Sequence, residues 1–331
     1  MTARLRLLEV GPLSSVQDGG RPGLMRFGVP GSGPMDRLAF AMANAALGAP
    51  PGAAALEISA GGLVAELEGA PLTLALAGGG FRIRAGGVPR TGASAFPLYP
   101  GERIEIRAGD WGSWAVLAVA GRLLVPDWLG SCATHAISGL GGGLLRAGGE
   151  ITITEPRLLA ERHGAFPPPP RPEGVLRVVP GPQERFFDPA ALATLLGQPF
   201  RLSPARDRMG QRLEGPALRP LSLDMPSGGV LRGSVQVAGD GVATVLMADH
   251  QTTGGYPRIA TVIGPDLDLL AQMRPQDALR FVAVTPAEAI RIVRADHDAR
   301  QARLADLAAP RDLAHRLARA NLIGGVVDAR D

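Results

Sequence analysis

The stretch FPPPPRP at residues 166–172 lies near the middle of the 331-residue chain and separates two regions of strand-like sequence. Consecutive prolines cannot continue a helix or a central strand, and they favour an extended polyproline II conformation. A linker at this place predicts two domains. We assign residues 1–165 to an N-terminal domain, 166–174 to the Pro-rich linker, 175–285 to a C-terminal domain and 286–331 to a helical tail.

Strand-like segments dominate on both sides of the linker. Apolar and polar residues alternate over residues 102–107 and 230–237, which is the period of a half-buried strand. The sequence Gly239-Asp240-Gly241 stands between two apolar runs and indicates a hairpin. These patterns predict a mainly β fold.

Helices are fewer and carry clear start signals. Helical segments are predicted over residues 34–47 and 266–273 and after Asp188. The sequence Thr285-Pro286-Ala287-Glu288 is a capping box with proline at the first helical position, so a C-terminal helix should begin there.

Composition excludes several classes of enzyme. Lysine is absent, because all 34 basic residues are arginine. The chain therefore has no P-loop lysine, no Schiff-base lysine and no lysine to carry biotin. The net charge is only +3, and the arginines are spread along the chain, so we do not expect nucleic-acid binding.

Location and metal binding are predicted from what the sequence lacks. The single cysteine, Cys132, excludes an internal disulfide and fits a reducing cytoplasm. The sequence contains no uninterrupted apolar run of about 18 residues, so we expect no membrane-spanning helix. The N-terminus has the pattern of a first strand rather than that of a signal peptide. We expect no metal site, because no HExxH or paired CxxC motif is present.

Two segments of similar sequence suggest an internal duplication. LEISAGGLV at residues 56–64 matches LDMPSGGVL at residues 223–231 in its acid and its Gly-Gly pair. If the duplication is real, Glu57 and Asp224 occupy equivalent places in two related β domains.

Four segments are dense in polar side chains set among glycines, and they are the candidate functional regions. They are SVQDGGRPG (15–23), GVPGSGPMD (28–36), ARDRMGQR (205–212) and DHQTTGGYP (249–257). The second is a glycine-rich loop before a helix, where free N–H groups favour an anion, although a tight turn with a cap explains it equally. The third has three arginines that suit a carboxylate or phosphate, or else a surface ion-pair cluster.

The fourth segment is the most specific. Asp249 ends an apolar strand, and the Gly254-Gly255 pair permits a close backbone approach to a ligand. In a strand His250 would point away from Asp249, so we expect Asp249 to act with Thr252 or Thr253.

Together the four segments closely resemble those of KipA-like proteins, also described as the C subunit of 5-oxoprolinase, allophanate hydrolase subunit 2 or the carboxyltransferase domain of urea amidolyase-type enzymes. The resemblance covers roughly residues 8–284, and DHQTTGGYPRIATVIGPDLDLLAQ (249–272) is its longest matching stretch. It implies two tandem cyclophilin-like β-barrel domains. It also implies a KipI-like partner and a third component, with which the chain would cleave 5-oxoproline to glutamate at the expense of ATP.

Residue chemistry and family position together suggest roles for the polar residues. We expect Asp18 and Asp249 to be the catalytic acids that handle protons, and Arg21 and Arg208 to be anion clamps. The residues expected to orient the substrate or bind its anionic groups are Gln17, Ser32, Asp36, Gln251, Thr252, Thr253 and Tyr256.

Two other functions remain open at this stage. The chain could be the carboxyltransferase component of a biotin-dependent, urea-type carboxylase, with the biotin on another chain. It could also be a non-catalytic antagonist of a KipI-like kinase inhibitor. For the 5-oxoprolinase function we expect an amide or lactam substrate and the use of ATP at the level of the complex, by a subunit that the sequence does not identify.

Overall fold

The computed structural model describes residues 1–309, and the last 22 residues of the predicted helical tail lie outside the described residues. The helices are α1 (Arg37–Ala46), α2 (Pro189–Gly197), α3 (Gly264–Gln272) and α4 (Pro286–Ala308). The strands of the first half are β1 (Thr2–Val10), β2 (Ser15–Gln17), β3 (Ala55–Ser59), β4 (Leu63–Gly69), β5 (Leu72–Gly78), β6 (Arg82–Ala85), β7 (Val88–Arg90), β8 (Ser94–Leu98), β9 (Arg103–Arg107), β10 (Trp114–Val119), β11 (Arg122–Leu123), β12 (Glu150–Thr154) and β13 (Gly164–Ala165). Those of the second half are β14 (Val175–Pro180), β15 (Phe200–Arg206), β16 (Gly210–Glu214), β17 (Gly228–Gly229), β18 (Ser234–Val237), β19 (Ala243–Leu246), β20 (Thr253–Gly254), β21 (Arg258–Val262) and β22 (Ala278–Ala283).

The first half consists of two sheets packed face to face. One has the strand order β11-β12-β1-β4-β9-β6-β7 and the other β13-β8-β5-β10-β3-β2. The alternation predicted over residues 102–107 is present in β9, where Ile104 and Ile106 enter the core between the sheets and Arg103 faces solvent. Both sheets contribute leucines to this core, so hydrophobic burial holds them together.

Helix α1 covers the outer face of the second sheet. The facing strands carry small residues, among them Ala75, Ala77 and Ala118, which leave room for the helix. Because both faces of β5 are covered, all seven of its residues are buried. Asp36 caps the helix, since its side chain accepts a hydrogen bond from the Ala39 amide at 2.8 Å.

The second half contains a closed barrel with the strand order β14-β21-β18-β19-β16-β15-β22. The hairpin predicted at residues 239–241 connects β18 to β19. Met35 and Trp114 of the first half belong to the core cluster of this barrel. The two halves therefore share a hydrophobic core at their junction.

Two expectations from the sequence need correction. The first half is a sandwich of two open sheets, because its edge strands do not pair into a ring, so only the second half is a closed barrel among the described strands. The acids of the apparent repeat are not equivalent, because Glu57 is buried in β3 whereas Asp224 is exposed in a loop.

The C-terminal helix begins with the predicted capping box at Thr285 and Glu288, so that prediction is confirmed.

A buried ion network joins the two halves. The Arg208 guanidinium of the second half forms ion pairs with Glu57 of β3 and with Asp249, whose Oδ2 lies 3.0 Å from Nε. It also donates to the Gly33 carbonyl at 2.6 Å. Burial alone would lower the pKa of Arg208, but Glu57 and Asp249 outweigh it and raise that pKa.

The Gln272 side chain at the end of α3 makes a second connection. Its Oε1 accepts from the Ser113 and Trp114 amides at 3.0 and 3.1 Å. Its Nε2 donates to the Trp114 carbonyl at 2.9 Å and to Asp36 at 2.7 Å. One amide thus ties the barrel to both α1 and β10.

We predict that Arg208→Met destabilises the protein by about 3 to 5 kcal/mol, because two carboxylates would be left buried without their cation. The free energy of unfolding from urea titration measures this. Arg212→Met is the matched control, since Arg212 pairs with Asp240 at the surface and its loss should cost less than about 1 kcal/mol. Equal effects of the two substitutions would contradict the role of the network.

We also predict a pH dependence that arises from Asp36. Burial, and then the nearby Asp268 carboxylate, raise the pKa of Asp36 to about 7, against the opposing effects of the Ala39 and Gln272 hydrogen bonds and of Arg300. Between about pH 4 and 7 the folded state holds a proton that the unfolded chain releases. The free energy of unfolding should therefore fall as pH rises through this window, by up to about 4 kcal/mol.

For Asp36→Asn, urea titrations between pH 5 and 7.5 should show a free energy of unfolding without this dependence on pH. A constant difference in stability from the wild type does not affect the test. Asp240→Asn is the control, because the hydrogen bond from the Val242 amide lowers the pKa of Asp240 and places its titration below the window. An unchanged slope in Asp36→Asn would contradict the assignment.

Candidate functional site

Asp18 organises the loop that follows β11. Its carboxylate accepts hydrogen bonds from the Ser131 hydroxyl at 2.5 Å and from the Cys132 and Ala133 amides at 2.6 and 3.2 Å. It also accepts from the Gly20 amide at 2.9 Å. Both carboxylate oxygens are therefore engaged in holding residues 131–133.

Arg21 holds the same loop through its carbonyls. It donates to those of Trp128, Ser131 and Ala133 at 2.8, 2.9 and 2.6 Å, and its guanidinium lies 4.8 Å from the centre of the Trp128 ring. Burial lowers the pKa of Arg21, against the opposing charges of Asp18 and Asp249. Its Nη1 is buried without a partner in residues 1–309.

Three further sequence-predicted residues lie in this region with mainly structural contacts. Gln17 donates to Ser15 and to the Thr134 carbonyl at 2.9 and 3.1 Å. Ser32 has a positive φ of 51°, and its buried Oγ has no partner within the described chain. Asp36 is the helix cap described above.

The four polar segments converge at the junction of the halves. Asp249 of the fourth segment pairs with Arg208 of the third. The Arg21 amide of the first segment donates to the Gly31 carbonyl of the second at 2.7 Å. Arg208 in turn reaches Gly33 in the second segment. Asp249 and Arg208 are each 1% exposed, and every nitrogen of the guanidinium bonds to protein. The contacts of Asp249 and Arg208 connect the two halves of the protein. Their catalytic and anion-binding roles stay predictions.

An open cleft of about 630 Å³ lies beside this network on the outer face of the barrel. We call it the barrel cleft. Its polar lining residues are Arg206, Asp207, Arg212, Gln236, Thr244, Gln251 and Tyr256. Gln251 and Tyr256 were predicted from sequence. Thr252 and Thr253 belong to the adjoining ribbon, where Thr253 is exposed in β20, which pairs with β17.

Two amide side chains lie together in the barrel cleft. Gln251 donates to Gln236 Oε1 at 3.1 Å, and Gln236 Nε2 is buried with no partner in the described residues. A Cβ at Gly254 would lie 2.5 Å from that Nε2, so a larger residue here would displace the Gln236 amide. No local pattern singles out Gln236, which is an outward residue of β18 and lies far from the polar segments in the chain.

Arg206 is one of two arginines in the cleft, and the sequence analysis counted it among the arginines of the third segment without naming it as an anion clamp. Its Nη1 donates to the Ser113 hydroxyl and the Met273 carbonyl at 3.1 and 2.7 Å. Burial lowers its pKa, Asp277 opposes this, and Arg274 adds to the lowering. No carboxylate in residues 1–309 lies within ion-pair distance of Arg206. It is therefore a partly buried charge that an anionic ligand would stabilise.

His250 is a buried residue behind the cleft. Its Nδ1 lies 2.6 Å from the Gln251 carbonyl, and burial lowers the pKa of the imidazole. Within the described residues no cluster of three or more His, Cys, Asp or Glu could hold a metal ion. None of the helices described is long and apolar enough to cross a membrane.

Comparisons with known proteins agree on one family. Residues 27–283 match the model of the carboxyltransferase domain, subdomain A and B. The chain is 35% identical over 299 residues to the C subunit of the 5-oxoprolinase of Escherichia coli K12, covering 87% of this chain and 93% of that protein. It is 26% identical over 314 residues to a urea amidolyase of Lachancea kluyveri, covering 83% of this chain but 16% of that protein.

A solved structure shows the same architecture. The crystal structure of TTHA0988 matches with a TM-score of 0.77 and 35% identity, covering 85% of this chain. This chain spans about half of that protein, namely 56% of its length. With the match to the family model over most of its length and the similarity to the 5-oxoprolinase C subunit, the chain belongs to the family of the carboxyltransferase domain, subdomain A and B.

Proposed function

We propose that this protein is the C subunit of an ATP-dependent 5-oxoprolinase, which hydrolyses 5-oxo-L-proline to L-glutamate together with a KipI-like partner and a third component. The observation that carries the proposal is the 35% identity to the C subunit of the Escherichia coli 5-oxoprolinase over 93% of that protein's length. Similarity to the urea amidolyase is lower and covers a small part of it. ATP is used at the level of the complex, and the lone cysteine supports a cytoplasmic location.

The barrel cleft offers the groups that such a reaction needs. The substrate carries a carboxylate, for which Arg206 provides a charged donor that no carboxylate of residues 1–309 already occupies. The amides of Gln236 and Gln251 and the Tyr256 hydroxyl can orient the substrate or the attacking water. A lactam is resonance-stabilised, so activation of its carbonyl oxygen by a phosphoryl group from ATP makes cleavage of the C–N bond feasible.

The carboxyl group that would transfer protons is proposed from where each aspartate lies in the structure. Asp18 and Asp249, the acids expected from sequence, hold the loop and the junction. Asp207 lies in the cleft itself, with its Oδ1 accepting from the Met209 and Gly210 amides at 2.8 and 3.1 Å. We therefore add Asp207 as the candidate general acid–base of this chain.

The direct test is reconstitution. The chain, a KipI-like partner and the third component should together release glutamate from 5-oxoproline only when ATP is present. Avidin-sensitive incorporation of bicarbonate into a urea-type substrate would instead support the carboxyltransferase function, which the family description and the urea amidolyase relative favour. A tight heterodimer with neither activity would support the non-catalytic antagonist.

We predict that Arg206→Gln raises the KM of the reconstituted complex for 5-oxoproline by about 10-fold or more, because a charge-assisted hydrogen bond contributes roughly 1.5 to 3 kcal/mol. Steady-state glutamate release measures this. Arg201→Gln is the control, since Arg201 is exposed and donates to the Gln276 carbonyl, away from the cleft. A KM that Arg206→Gln leaves at the wild-type value would remove Arg206 from the site.

A further inference from the structure

The connection between β11 and β12 exposes a group of aliphatic side chains. They are Leu124, Leu129, Ile137 and Leu140, whose exposed fractions are 66%, 55%, 66% and 43%. Asp127 is the only aspartate, glutamate, lysine or arginine between residues 124 and 145. We call residues 124–140 the apolar loop. An exposed surface that is aliphatic and depleted of charge is typical of the centre of a protein–protein interface.

Two turns of the apolar loop carry aliphatic side chains outward. The first turn spans residues 128–131, whose end residues are joined by main-chain hydrogen bonds of 2.9 and 3.3 Å, and Leu129 is its second residue. The second turn spans residues 135–140, closed by a main-chain hydrogen bond of 3.0 Å between its ends, and Ile137 is its third residue. Each turn therefore presents one aliphatic side chain that is more than half exposed.

Arg21 holds both turns in place. It donates to the Trp128 and Ser131 carbonyls of the first turn at 2.8 and 2.9 Å. Its Nη2 lies 3.0 Å from the position of a Cβ at Gly141, the residue that follows the second turn. Asp18 binds the amides of the stretch between the two turns. The two side chains are thus preorganised, which lowers the entropic cost of binding a partner.

Leu129 has a backbone conformation that its own packing does not compensate. Its φ is +53°, in the left-handed region where the Cβ of an L-residue crowds a neighbouring carbonyl oxygen. Leu13 has a similar φ of +63°, but its side chain packs against the core of the barrel. The Leu129 side chain is directed largely to solvent instead. Strained residues of this kind cluster at functional sites, so Leu129 points to a contact outside this chain.

The relatives indicate the nature of that contact. This chain covers 93% of the 5-oxoprolinase C subunit of Escherichia coli, which is a separate protein, but 56% of the TTHA0988 chain. A domain that is separate in one relative and part of a longer chain in another is expected to have a second polypeptide against it. The KipI-like partner of the proposed function would be that polypeptide.

We propose that the apolar loop is the docking surface for the KipI-like partner, with Leu129 and Ile137 as anchors in apolar pockets of that protein. The choice of partner rests on the proposed function, whereas the location of the surface rests on the loop. The Ala136 amide of the second turn donates to Asp249 at 3.1 Å, so the docked partner adjoins the candidate site. With a single charge in the loop, the partner's contact surface is expected to be apolar as well.

Binding of the full chain to the purified KipI-like partner tests the surface. Leu129→Asn and Ile137→Asp should each weaken binding at least about tenfold by titration calorimetry, as the loss of an interface anchor commonly does. Ile290→Asp is the matched control, because Ile290 is 52% exposed but belongs to α4, and its affinity should stay within about twofold of the wild type. Wild-type affinity in both loop variants would overturn the proposal.

The stability of Leu129→Asn distinguishes an anchor from a residue that only shapes the loop. Asparagine adopts the left-handed conformation more readily than leucine, so this variant should melt no lower than the wild type while it binds the partner more weakly. A residue needed only for the loop's own fold would lose stability and affinity together. A melting temperature well below that of the wild type would therefore overturn the role of Leu129 as an anchor.

Salt dependence tests the chemistry of the contact. Raising NaCl from about 0.1 to 0.5 M should change the Kd by less than about threefold, because an apolar contact is not screened. A loss of affinity of about tenfold or more would show that charged residues carry the docking, and it would overturn the apolar loop as the main surface.

The outcomes separate this inference from the proposed function. ATP-dependent glutamate release, with wild-type binding by both loop variants, would overturn the docking surface and leave the function standing. A complex that both substitutions weaken but that never hydrolyses 5-oxoproline would support the surface and reject the 5-oxoprolinase function. A dimer of the free chain that both substitutions dissociate in sedimentation, or no binding of the KipI-like partner, would overturn the assigned occupant.

Discussion

One buried guanidinium connects the two halves of the protein at the candidate site. Arg208 stands between Glu57 of the first half and Asp249 of the second, and it fixes the Gly33 main chain as well. A buried charge is tolerated only when it is paired and fully hydrogen-bonded, so the two halves must dock in one way. Asp207 and Gln251, which lie next to the network residues in the chain, line the barrel cleft, so the network also holds the main chain beside the cleft.

The linker does not make the halves independent. The prolines at 166–172 mark a boundary in the sequence, but Met35 and Trp114 of the first half are buried in the core of the second. The Gln272 amide then crosses the junction in the opposite direction. The packing at the junction therefore depends on docking as much as on either half alone.

The sequence predicted the class of fold and identified the polar segments, but it did not predict their convergence or the role of each residue. Periodicity and capping signals are local, so they placed strands such as β9 and the start of α4 correctly. Arg206 and Arg208 lie two residues apart and look alike in the sequence. Their difference comes from Glu57, which is 151 positions from Arg208 and has no local signature. Gln236 was missed for the same reason, because only strand pairing shows where its side chain points.

The contrast between the two arginines also explains where a ligand can bind. Arg208 has two carboxylates and a carbonyl, so an incoming anion would have to displace strong internal bonds. Arg206 is partly buried and donates to neutral oxygens, so an anion there gains a charge pair without breaking one. Polar residues that stabilise the fold and polar residues that await a ligand are thus distinguished by whether the protein itself has already satisfied them.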